Sequence, residues 1–278
     1  MTSSEDVLGT PGLIADGGML AGWGDLTTPI EAIHVAWSVT AALLGELSDA
    51  APSLVLTRTN PFFAPPRGFD PAIVPSDDDW VSKVESDPVV ARKRALFDSG
   101  RVAVAFAPSA WDLGSGATAR SLELAQFTGW GAPEARPEAG AAVLELAATQ
   151  TVDEIAAAAA EVLGSPRALV IGNGQARTSS VAFIAGIASP AQLRELLRDP
   201  AIGAAVVGET VEWEGAPYTQ DAAAAGRHLA VIAVGTALSE NPAGAALARR
   251  LAVEHPQLTV QNHPTDEATW MPHEEVHA

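Results

Sequence analysis

A chain of 278 residues is long enough for one large domain or two modest ones, each with its own core. Apolar residues make up 47% and charged residues 18%, and the net charge of −18 argues against a nucleic-acid partner, whose recognition rests on clustered Lys and Arg. Cysteine is absent, which removes disulfide frameworks, thiolate metal sites and cysteine nucleophiles.

The first dozen residues, Met1–Gly12, lack the basic and apolar regions of a secretory signal. No uninterrupted apolar run approaches the roughly 18 residues of a membrane span. A cytoplasmic protein without a membrane partner is expected. Histidine is scarce: four of the six fall at His255, His263, His273 and His277, leaving His34 and His228 for the rest of the chain.

Short β-branched runs alternate with Ala/Leu-rich windows along the sequence. Ala32–Val39 reads as a buried strand and Thr40–Ser48 as a helix. Ser53–Thr57 is a second strand that ends in Arg58-Thr59-Asn60-Pro61 and a Pro/Gly-rich loop to Pro75. A helix over Asp87–Ser99 has Asp87 as N-cap, Pro88 in its first turn and Gly100 beyond its end. Arg101–Ala107 is a third strand, and the helix Ala117–Phe127 follows a polar turn. The Gly- and Pro-bearing segment Thr128–Gly140 marks an internal boundary.

The pattern then restarts. Thr151–Leu163 is a helix with a capping arrangement at Thr151 and Glu154, and Ala168–Ile171 and Ser180–Ala185 are strands. A helix over Ser189–Arg198 has Ser189 as cap and Pro190 in its first turn. Ala204–Gly208 and His228–Val234 are strands, Thr219–Gly226 and Pro242–Val253 helices. This spacing predicts α/β layers with helices over largely buried sheets. The expected organisation is a first α/β lobe over residues 10–130, a second over 131–262 and a flexible acidic tail over 263–278. The last strand and helix are candidates to pack back on the first lobe.

Several constellations could carry chemistry. Gly172-Asn173-Gly174 follows a strand, but Arg177 stands where a dinucleotide fingerprint needs its third glycine, so a turn between strands is the simpler reading. Ser109 and Ser115 lack a G-x-S-x-G elbow. His34 and His228 read as satisfied or edge-facing strand histidines, and His263, His273 and His277 as members of a solvated tail. Asp112 and Glu240 each sit just past a predicted strand end, where open α/β sheets place their ligands.

Together these strand ends resemble the Nif-three-like family, often labelled GTP cyclohydrolase I type 2 homologues, over roughly Gly17 to Val260. Gly17–Thr40 is similar to the family's opening, and Leu54–Phe63 (LVLTRTNPFF) stands where the family has a strand and an HHP tripeptide. Lys93–Asp112 resembles the helix–strand passage ending in H-T-N-L-D. Val206–Glu214 resembles the T-G-D-x-x-Y-H-D segment, and Gly226–Glu240 the final strand with its G-H-x-x-x-E motif.

The resemblance implies two interlinked α/β lobes, a cleft between them holding a dinuclear metal centre, and a homohexameric assembly. On the motifs, the HHP histidines become Thr59 and Asn60 before Pro61, the histidine before Asp112 becomes Pro108, and the final histidine becomes Thr236. Asp112 and Glu240 are kept. Two carboxylates with Asn60 could hold at most one weakly bound hard cation, so no cofactor is expected.

Trp37, Trp111 and Trp213 stand where the family pattern is smaller or polar. They suggest an aromatic-lined pocket for an organic ring or cation; volume filling is the alternative. The reading that follows is a metal-independent enzyme, hydrolytic or cyclisation-type, acting on a small organic substrate. Asp112 and Glu240 would be its general acid and base, Thr59, Asn60, Ser109 and Thr236 its hydrogen-bonding groups, and Arg58 a partner for an anionic substituent. A non-catalytic small-molecule-binding or scaffold protein is the alternative, and a metal-dependent cyclohydrolase-like hydrolase a second one. A homo-oligomer is expected in each case.

Overall fold

Strands buried on both faces and helices laid against them account for the architecture. The computed structural model describes residues 2–14, 21–62, 86–97, 101–227 and 229–266. Gly17, Phe63, Gly100, His228, Trp270, His273 and His277, and with them most of the expected tail, lie outside the described residues. The chain divides into two compact units, Met1–Gly114 with Gly244–Pro264, and Ser115–Ala243 with Thr265–Ala278.

The first unit holds helices α1 (Ser4–Leu8), α2 (Ala41–Ser48) and α3 (Pro88–Phe97), and strands β1 (Ala21–Trp23), β2 (Ala32–Ala36), β3 (Ser53–Thr57) and β4 (Val102–Phe106). A further strand, Thr259–His263, returns to this unit from the far end of the sequence and pairs in parallel with β2. The sheet order is β1, β4, β3, β2 and then this last strand, all parallel except β1. Every residue of β2, β3 and β4 is buried, as expected of parallel strands covered on both sides. One face packs Ala36, Val55, Val102 and Val104 against Leu44, Leu47, Val90 and Phe97 of α2 and α3.

The second unit holds α4 (Ala117–Thr128), β5 (Glu134–Arg136), β6 (Ala141–Thr151), α5 (Val152–Leu163), β7 (Leu169–Ile171), β8 (Arg177–Ala188), α6 (Pro190–Leu196), β9 (Ile202–Thr210), α7 (Glu212–Ala224) and β10 (Ala230–Ala233). Helix α8, Thr236–Glu254, starts in this unit and ends in the first; β11 is the strand Thr259–His263 that follows it. The six-stranded sheet runs β5-β6-β8-β9-β10-β7, with β8, β9 and β10 parallel and the rest antiparallel. Leu124, Ile155 and Ala159 of α4 and α5 cover one face through Leu144, Phe183 and Val206. Leu193 and Leu196 of α6, with Tyr218 and Ala222 of α7, cover the other through Val143, Ile184 and Val207.

Several expectations need correction. The division falls at Gly114/Ser115 and inside α8, not within Thr128–Gly140, which lies inside the second unit as β5 and a 3-10 turn. β6 (AAVLELAATQT) has helix-like composition, yet its residues alternate between the two core clusters, Ala142 and Leu144 to one, Ala141 and Val143 to the other. Burial on both faces overrides its Ala/Leu content. His263 belongs to β11, not to a tail. Pro242 lies inside α8 rather than opening it, and Trp213 lies on α7, a helix that starts earlier than its sequence suggests.

Candidate functional site

The parallel register of the first sheet brings four strand ends level. Ala36 pairs with Thr57, Thr57 with Phe106, and Ala36 with His263. The segments leaving β2, β3 and β4 therefore emerge along one edge, the carboxyl edge at which open α/β sheets bind ligands. They carry Trp37, Arg58-Thr59-Asn60 and the 3-10 turn Pro108–Asp112. Of the ten candidate residues, seven (Trp37, Arg58, Thr59, Asn60, Ser109, Trp111 and Asp112) belong to the first unit and three (Trp213, Thr236 and Glu240) to the second.

Sheet hydrogen bonding continues past the strand ends and fixes these segments. Arg58 N donates to Ala36 O at 3.3 Å, Thr59 N to Trp37 O at 3.0 Å and Ala107 N to Thr57 O at 3.1 Å. The buried Thr57 hydroxyl lies within hydrogen-bonding reach of both Trp37 O, at 3.4 Å, and Thr59 O, at 3.0 Å. Asn60 Oδ1 accepts from Phe62 N at 2.8 Å, an Asx turn that occupies its carbonyl. Beyond it, Pro61 O accepts from Lys93 Nζ, and Phe62 packs edge-on against Trp23 and Phe97, ring centroids 5.2 and 5.5 Å away. Burial holds the Lys93 ammonium well below its usual range, at about 8.

The turn that carries Asp112 ends at Leu113, which has φ 50°. Among the described residues it is the one non-glycine in the left-handed region, a conformation that costs a bulky side chain about 1–2 kcal/mol. Ser109 Oγ and Trp111 Nε1 on the same turn are buried and have no hydrogen-bond partner among the described residues. Trp111 is 0% exposed, and its N–H faces Gly244 of α8, where a Cβ would stand 3.2 Å from Nε1 and 3.5 Å from Asn262 Oδ1. Its indole is part of the core.

The three tryptophans thus have three different surroundings. Trp111 is enclosed, Trp37 is half-buried, and Trp213 is 66% exposed on α7 rather than in a strand-end loop.

In the second unit, β10 runs through Val234 and Gly235 into α8. Ser239 Oγ donates to Thr236 O at 2.7 Å and accepts from Gly186 N at 2.9 Å. The turn bearing Thr236 and Glu240 is thereby tied to β8 where that strand's register shifts. Glu240 is 2% exposed and forms an ion pair with Arg120 of α4, Nε to Oε1 at 3.4 Å. Gly186, at φ +84°, leaves the space for it, since a Cβ there would stand 2.9 Å from Glu240 Oε1. Thr236 Oγ1 is buried and has no hydrogen-bond partner among the described residues.

The donor set does not fit the transition-metal centre that the resemblance implies. Thr59, Asn60 and Thr236 offer neutral oxygens where imidazoles are needed for zinc or iron. The Asn60 oxygen is engaged by Phe62, and Glu240 by Arg120. Among the described residues no cluster of three His, Asp or Glu is placed to hold a metal ion.

Two features had no signal in the sequence. His34 Nδ1 and His263 Nε2 lie 2.9 Å apart, 229 residues distant in sequence. Burial, with the neighbouring His263, lowers His34 to about 4, and burial also lowers His263 against the opposing pull of Glu46. A cavity of about 760 Å3 opens at the other end of these strands, lined by Glu31, Ala32, His34, Leu47, Thr259 and Gln261 among others. None of the ten candidate residues lines it. Gly172-Asn173-Gly174 is a turn in which Asn173 O and Oδ1 accept from Ala176 N and Gln175 N.

No protein-family model matches the sequence, and no curated protein matches it. Solved structures do match. The Staphylococcus aureus hypothetical protein SA1388 is 12% identical, with TM-score 0.68 over 97% of this chain and 99% of that one. A Bacillus cereus protein related to NIF3 is 12% identical, with TM-score 0.69 over 96% and 98%. HcgD from Methanocaldococcus jannaschii in its reduced form is 10% identical, with TM-score 0.64 over 94% and 97%. At these identities the likeness is one of fold: the chain has the α/β fold of the NIF3-related proteins.

Proposed function

We propose that this protein is a metal-independent member of its fold group that takes a small organic molecule at the carboxyl edge of the first unit's parallel strands. The observation that carries the reading is the in-register ending of β2, β3 and β4, which sets Trp37, Arg58, Thr59, Ser109 and Asp112 along one edge. The unpartnered Ser109 hydroxyl and the strained residue after Asp112 support it, because unsatisfied polar groups and backbone outliers gather at ligand sites.

Asp112 is the group for acid–base work. In a hydrolytic or cyclisation step its carboxylate takes a proton from the attacking hydroxyl, amine or water and returns it to the leaving atom. Arg58 neutralises an anionic substituent, and Thr59 and Ser109 orient the ligand by hydrogen bonds. Glu240 belongs to the second unit, where it pairs with the Arg120 guanidinium. That pairing also favours the second reading, a binding or scaffold protein without turnover. The family resemblance adds a homo-oligomeric assembly to this reading, and a monomer by light scattering would count against it.

A thermal-shift screen of uncharged and anionic small metabolites, followed by product analysis, tests the reading. A compound should raise Tm, and Asp112→Asn should retain its binding while abolishing turnover. Binding without turnover in the parent protein selects the second reading. GTP turnover that depends on added zinc or manganese would refute both.

A further inference from the structure

We propose that Arg120 is the resident counter-charge of Glu240, filling from within the chain the place that the family resemblance gives to a metal cation and closing that strand-end position to divalent ions. The inference rests on the metal-independent reading above and deepens it.

A carboxylate with only 3% of its side chain exposed is tolerated when a cation compensates it. A guanidinium lies 3.4 Å away, on a side chain that is itself 13% exposed. Its position is built. Arg120 lies in the first turn of α4, and the next residue, Ser121, accepts from Ala185 N at 3.2 Å and lies 2.8 Å from Gly140 O as donor. Those contacts fix the helix against β8.

From the other side, Ser239 fixes the α8 turn to Gly186 N, and Gly186 supplies the slot in which Glu240 Oε1 lies. What remains for a metal ion is poor. Thr236 brings a neutral hydroxyl, and any cation on Glu240 Oε1 would stand beside a like charge. Loss of the imidazole and gain of the guanidinium act in the same direction.

Removal of Arg120 should reopen the position. Thermal unfolding and Mn2+ binding, the latter by electron paramagnetic resonance of the free ion, would be measured on the parent protein, Arg120→Gln, Arg120→Lys and Arg120→Gln/Glu240→Gln. The parent should bind no Mn2+ and keep its Tm in EDTA and in 1 mM MnCl2. Arg120→Gln should lose about 5 °C or more, gain weak, millimolar Mn2+ binding that the parent lacks and regain part of the lost Tm with it. Arg120→Lys should behave like the parent. The double variant should recover Tm without Mn2+ and bind none.

An Arg120→Gln protein as stable as the parent, or one that Mn2+ neither binds nor rescues, overturns the proposal. If Arg120→Gln is insoluble, rescue by Mn2+ during expression supports the proposal, and failure of that rescue while the double variant folds overturns it. Parent protein that retains about two transition-metal ions per chain would instead overturn the metal-independent reading itself.

Discussion

At the scale of single residues, the buried histidine pair makes a quantitative claim about pH. His34 is 4% exposed, and its ring nitrogen lies within hydrogen-bonding distance of another imidazole, that of His263. The folded protein therefore prefers His34 neutral, lowered to about 4 from an unfolded value of 6.5. The unfolded chain binds the extra proton first, so this contribution is whole above pH 6.5 and drains away as pH falls toward 4. The gap corresponds to about 3 kcal/mol. Urea unfolding at pH 7 and pH 4.5 should show most of that loss, and His34→Gln should flatten the difference. Gly186 makes a second residue-scale claim. Its φ of +84° and the 2.9 Å approach to Glu240 mean that Gly186→Ala strains the backbone and presses on a buried ion pair, at a cost of about 2 kcal/mol or more. Chemical denaturation would measure it.

At the scale of elements, what could be read ahead was what is encoded locally. The Thr151 hydroxyl caps Glu154 N while the Glu154 carboxylate returns to Thr151 N. Ser189, Pro190 and Gln192 do the same for α6, and Asp87 accepts from Val89 N at the start of α3. Each motif spans four residues or fewer, so a sequence shows it whole. Thr151→Ala should accordingly cost about 1 kcal/mol, read as a lowered urea midpoint with an unchanged m-value. β6 and β11 were hidden for the opposite reason, since their strand character comes from partners far along the chain. Nothing within TVQNH announces that it will lie beside Ala32–Ala36. The candidate site divides in the same way. Its strand-end residues follow from where the predicted strands stop, which the alternating pattern shows, whereas the strand order and register that bring those ends level appear only in the folded sheet. The Arg120–Glu240 pair joins residues 120 positions apart and could be found only in three dimensions.

At the scale of the whole molecule, a net charge of −18 is a distributed strain on a compact chain. Acidic groups outnumber basic ones by 34 to 16, so like charges predominate, and compaction brings them closer than they stand in the unfolded chain. Screening should then stabilise the fold: the Debye length shortens from about 30 Å at 0.01 M salt to about 10 Å at 0.1 M. Tm should rise with NaCl between 10 and 300 mM and level off as the screening length falls below the spacing of surface charges. The shape of that rise also separates diffuse electrostatics from site binding. A cation held at a defined site acts by mass action, with a shift set by its own concentration and affinity. If no divalent-cation site is left in the parent protein, MgCl2 and NaCl compared at equal ionic strength should give the same Tm curve. An extra rise with Mg2+ that saturates at millimolar concentration or below would reveal a bound ion, and Asp112→Asn would then show whether the retained carboxylate of the first unit holds it.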